Sequence, residues 1–146
     1  MPGILLYVHL LAAVIWIGGM FFAYIAVRPA AAQLPPDLQF PFWVRVFGRF
    51  FPWVWVSFPA LLVTGSAMAS QGRPGPAVWL MAAAGIAMMS IFLHVYFAPY
   101  RRLRRAAAAA DWSLAGKQLR QIRRLAGIST VLGFLVLALG IFSFAG

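Results

Sequence analysis

The chain reads as an all-α integral membrane protein, a four-helix bundle with amphipathic interfacial segments, and three observations predict it. Four apolar stretches are each long enough to cross a bilayer, and none contains Asp, Glu, Lys or Arg. Eleven of the twelve Lys and Arg residues fall in only two of the segments between those stretches. Hydrophobic residues make up 64% of the 146 positions and charged residues only 10%, with a mean hydropathy of +0.88, more than a water-soluble core requires.

The predicted spans are residues 4–27, 50–69, 77–98 and 128–144, forming one transmembrane domain over 1–146. The first lacks a basic leader and is too long for a signal-peptide core, so it is expected as a retained helix. Between spans one and two lie Arg28, Arg45 and Arg49; between spans three and four lie Arg101, Arg102, Arg104, Arg105, Lys117, Arg120, Arg123 and Arg124. The connection between spans two and three holds only Arg73. This asymmetry predicts a multi-pass protein of a bacterial inner membrane with both termini periplasmic. The net charge of +10 is spent on orientation. Nucleic acid is not an expected partner, because the basic residues are not spread over a water-facing surface. The expected partners are the lipid bilayer and a second copy of the chain, or a partner membrane or periplasmic protein.

Both basic connections carry structure. In the second, Asp111 is a candidate N-cap for a helix starting near Trp112, whose Leu114, Ile122 and Leu125 are interleaved with basic residues, as expected for a segment in the headgroup layer. In the first, Pro35, Pro36 and Pro41 are expected to break the chain. The dense aromatic run that follows, from Phe40 through Trp43, Phe47, Phe51 and Trp53 to Trp55, reads first as a belt at the water boundary and second as a ligand site.

Chemistry is narrowly bounded. No cysteine is present, which removes disulfides and thiolate ligands. Asp37 and Asp111 are the only acidic side chains and both lie in predicted connections, so neither paired-carboxylate catalysis nor a carboxylate metal cage fits the bundle. Gly18 and Gly19 read as a close helix contact.

The two histidines, His9 and His94, both fall inside spans, where a polar group is costly and signals function or interhelical hydrogen bonding. Trp16 and Met20 share a stripe with His9, and Ala83, Ala87, Ser90 and Ala98 share the face of His94. On span two, Ser57, Ala60, Thr64 and Met68 form a weakly polar face. Spans one and three run in the same direction, which separates the histidines by roughly 20 Å of depth. Two levels result, an outer one with His9, Met68 and Met81 and an inner one with His94 and Met20, while Met88 falls between them. Imidazole with thioether suits copper(I), and His with Met is also an axial pair for haem.

These residues carry a resemblance. The run from His9 through Trp16, Gly18, Gly19 and Met20 to Phe22, the Arg28-Pro-Ala that follows, Thr64-Gly65, and His94-Val-Tyr-Phe-Ala-Pro-Tyr-Arg-Arg-Leu together resemble the copper resistance protein D (CopD) family of bacterial inner membranes. That resemblance implies copper handling, with transport between periplasm and cytoplasm. The spacing of His9, Trp16 and Gly19 is also similar to the HemJ-type haem-binding membrane proteins. The lysine of their third helix has no counterpart around Ala83, which argues against their oxidase reaction but not against haem; what this likeness implies is a haem b-binding membrane protein in electron transfer or oxidation. Copper(I) would then use His9, His94, Met20, Met68, Met81 and Met88. Haem would use His9 or His94 as axial ligand, with Arg49 or Arg101 near the propionates. A structural membrane subunit, its histidines serving as interhelical glue, is the third expectation.

Overall fold

A computed structural model describes the backbone of residues 2–145 and the side chains of residues 3–143. Met1 and Gly146, on which the predicted periplasmic placement of the termini falls, lie outside the described residues, as does the Phe144 side chain closing the fourth predicted span. The elements are α1 (Pro2–Phe22), a π-helical turn (Ala23–Val27), α2 (Arg28–Ala31), α3 (Pro36–Ser70), α4 (Pro76–Phe97), α5 (Pro99–Ala108) and α6 (Trp112–Ala145). Four helical stretches are long and apolar enough to cross a membrane. The protein is therefore an all-α, multi-pass membrane bundle.

Each span is longer than its charge-free stretch. The first continues through the π-turn to Ala31, and a proline explains the turn. Pro29 has no N–H and its ring crowds the Ile25 carbonyl, and here the Arg28 N–H bonds five residues back to the Ala23 oxygen. The third continues beyond its break into α5. Pro99 ends the regular ladder at Ala98 (φ −119°, ψ −88°), after which Tyr100, Leu103 and Ala106 are buried and Arg101, Arg102, Arg104 and Arg105 face outward.

One expectation about the connections needs correction. Pro41 does not break the chain: α3 starts at Pro36 and carries Pro41, Pro52 and Pro59 in its interior. The cost of an interior proline, about 3 kcal/mol, is offset by tertiary burial. Phe40 stacks on Trp112 at 5.9 Å, and Trp43, Phe47 and Phe51, each four residues from the next, form a buried ladder. The aromatic run is thus mainly core, and only its outward members, such as Phe42 and Trp53, can serve as a boundary belt. The basic segment before the fourth span starts a helix at Trp112, as expected, and joins that span without a break. It is the first part of one helix, α6, because Ala115, Leu119 and Ile122 are buried in the bundle along with the apolar stretch that follows.

Asp111 is the N-cap expected of it: its Oδ1 accepts from the Leu114 N–H at 3.2 Å. The preceding turn closes α5 with the Asp111 N–H on the Ala106 oxygen (2.9 Å) and the Ala110 N–H on the Ala107 oxygen (3.2 Å), which puts Ala110 at φ +55°. That left-handed conformation disfavours a Cβ. Ala110→Gly should therefore stabilise the protein by about 1 kcal/mol in detergent unfolding, and a neutral or destabilising result would show that the turn relaxes without cost.

Helix α1 packs antiparallel against α3, and α4 against α6. Trp16 joins the pairs at mid-depth, 6.5 Å from Phe58 and 6.1 Å from Phe92. Large apolar side chains such as Val14, Val63 and Ile141 point outward at 64–68% exposure, and the lipid bilayer is what meets them.

Candidate functional site

Each histidine lies on its helix as expected, but only His9 turns toward another span. His9 Nδ1 lies 2.8 Å from Thr64 Oγ1, and Thr64 Oγ1 lies 2.6 Å from the Ala60 carbonyl. The threonine has one proton, and the carbonyl can only accept. That proton goes to Ala60, so Thr64 accepts from His9, which must carry its hydrogen on Nδ1. In the neutral imidazole Nε2 is then left with a free lone pair. A hydrogen bond that fixes one imidazole nitrogen so that the other can bind a metal is the usual second contact of a ligating histidine. Gly65 makes the approach possible: a Cβ there would stand 3.3 Å from His9 Cε1.

Met68 lies one turn beyond Thr64 on the same face of α3, toward Arg73, and is partly buried. Met81 belongs to the other helix pair, its terminal methyl 3.9 Å from where a Cβ on Gly140 would stand. Met88 is 4% exposed within the core. Among the described residues no three of His, Asp and Glu gather into a metal cluster, so the soft donors are what these helices offer.

His94 is exposed, with Ser90 beside it on the same outward face, and Ser90 spends its hydroxyl on the Ile86 carbonyl at 2.9 Å. The small-residue face of α4 therefore looks out of the bundle. The two histidines are also far apart in depth. His9 is level with Thr64, whereas Phe92 and Tyr96, which flank His94, pack on Phe51. Thr64 and Phe51 are 13 positions apart on α3, about 20 Å along the helix.

The remaining predicted residues divide around a cavity of about 470 Å³ at the arginine-rich end. Trp16, Met20 and Arg49 line it; His9, His94 and Arg101 do not. Arg101 instead covers the Phe97 ring from outside, 5.0 Å from its centroid. The cavity has no histidine in its lining, so the donor set does not fit an imidazole-ligated haem there.

Three participants escaped sequence reasoning. Thr64 was visible as part of a weakly polar face and in the Thr64-Gly65 pair, but with no role toward His9, and a Thr-Gly pair opposite an intramembrane His is the signal that could have given it one. Arg28 and Arg123 also line the cavity, although they are 95 residues apart in sequence.

A family model described as copper resistance protein D (CopD) matches residues 44–143, from within α3 to the end of the last span, including Thr64, Met68, Met81, Met88 and His94. No curated protein and no solved structure matches the chain.

Proposed function

Given that this chain belongs to the CopD family, we propose that it binds copper(I) within the bilayer, in the half nearer its termini, with His9 Nε2 and the Met68 thioether as donors. The observation that carries this reading is the proton count at His9. With Thr64 committed to Ala60, the imidazole is held in the tautomer whose Nε2 is bare. A nitrogen and a thioether suit copper(I) and not the hard divalent ions. The charge asymmetry of the connections supports a bacterial inner membrane with both termini in the periplasm, so the site opens toward periplasmic copper.

Binding is better supported than conduction. Along α1, Trp16 stands between His9 and Met20, 2% exposed and packed on Phe58 and Phe92. An ion moving from one end to the other must pass this aromatic plug, so transport needs the helix pairs to part.

The test is a titration of the purified chain in detergent with copper(I) against a competing chelator, followed by X-ray absorption at the copper edge. One tightly held equivalent with mixed nitrogen and sulfur ligation is expected. An absence of binding, or ligation by oxygen alone, would overturn the proposal.

A further inference from the structure

The cavity at the arginine-rich end has no part in the copper site, and its construction specifies a different ligand. Its volume, about 470 Å³, lies within the range of small-molecule sites, roughly 300–1,000 Å³. The walls are aromatic and aliphatic, from Trp16, Phe50 and Val54 on one side to Phe92, Leu119 and Ile122 on the other. Three arginines, Arg28, Arg49 and Arg123, complete the lining, and neither of the chain's two acidic side chains does.

The three arginines line one cavity, and no carboxylate lies in that lining to balance them. Arg28 is oriented by the π-turn, its guanidinium carbon 4.9 Å from the centre of the Tyr24 ring, and Ala23, Tyr24 and Val27 of that turn themselves line the cavity. A π-turn inside an α-helix is a frequent mark of a functional site. Trp43 lines the cavity too, 4% exposed, and its indole N–H is a buried donor without an acceptor.

We propose that this cavity binds an anionic phospholipid, with one acyl chain among the aromatic walls and the phosphate between Arg28, Arg49 and Arg123. Basic pockets between transmembrane helices at the cytoplasmic face are where anionic headgroups bind. The cavity holds one chain and leaves the second to the bilayer. A neutral ligand of the same shape would leave the three guanidiniums unbalanced.

The experiment uses the full-length chain, delipidated in a neutral detergent and titrated with phosphatidylglycerol or phosphatidylcholine carrying brominated acyl chains, with tryptophan quenching as readout. Phosphatidylglycerol should saturate a single site and bind more tightly than phosphatidylcholine by about fivefold for each arginine engaged. Arg28→Gln and Arg49→Gln should each lose about fivefold. Arg101→Gln, outside the cavity, should lose nothing, and Ala126→Phe, which fills the lining while keeping all three arginines, should abolish the saturable quenching. Glycerol phosphate, a headgroup without chains, should not compete at equal concentration. Equal binding of the two lipids, an equal loss in Arg101→Gln, or full competition by glycerol phosphate would each overturn the proposal, the last by showing a free-phosphate site.

Discussion

Replacing His9 with Asn is expected to lower copper(I) affinity at least about 100-fold while leaving the protein folded. The asparagine amide can stand where Nδ1 stands and donate to Thr64, so the contact between α1 and α3 survives. What disappears is Nε2, and an amide is a poor donor to a soft cation. Thr64→Val takes the opposite course. It keeps Nε2 but removes the acceptor that sets the tautomer and ring angle, which should cost about 10- to 100-fold in affinity. His94→Gln should change nothing at this site, since His94 is on the outer surface about 20 Å away in depth. Copper affinity and thermal stability would be measured on the same samples. If His9→Asn bound copper like the unaltered chain, the imidazole would be interhelical glue and nothing more. If His94→Gln lost copper as fully as His9→Asn, the two levels would be one site.

That contrast shows where the sequence was legible. The spans and their number follow from the absence of charge over bilayer-length stretches, because nothing else in the chain can satisfy both the backbone and the lipid. Helical phase also grouped His9 with Trp16 and Met20, and His94 with Ser90. Phase does not say which face turns inward. In water a buried stripe is apolar and the opposite one polar, but in lipid both faces are apolar and the contrast vanishes. His94 therefore looked as much a bundle residue as His9, and only the packing of Phe92 and Val95 into the core shows the difference. The first connection was misread for a related reason. Proline punctuates a soluble chain, yet Pro41 sits inside a long helix here because Phe40 and Trp43 find partners on neighbouring elements. The cavity was illegible altogether: Arg28, Arg49 and Arg123 come to line one cavity only once α2, α3 and α6 have packed.

The glycine pair of α1 should give opposite results at adjacent positions, and the second of them carries the largest expected loss of stability. A Cβ on Gly18 would meet nothing within 4 Å. Gly18→Ala should then stabilise by about 0.5–1 kcal/mol, since alanine loses less backbone freedom in a helix. At Gly19 a Cβ would overlap the Phe50 ring outright. Phe50 is partly buried against the core, 6.3 Å from the Phe51 ring, so moving it disturbs that contact. Overpacking of this kind costs about 1–3 kcal/mol, which exceeds the propensity gain, so Gly19→Ala should be net destabilising and Gly19→Leu should exceed about 3 kcal/mol. Unfolding in mixed micelles measures all three. The decisive arm is the double variant: with Phe50→Ala the obstacle is gone, and Gly19→Ala should then cost nothing or stabilise as at Gly18, a coupling above about 1 kcal/mol between the two positions. If Gly19→Ala were as benign as Gly18→Ala in the unaltered background, the close approach of α1 to α3 at Phe50 would not exist. The alignment that brings His9 to Thr64, nearly three turns further along the same seam, would lose its support.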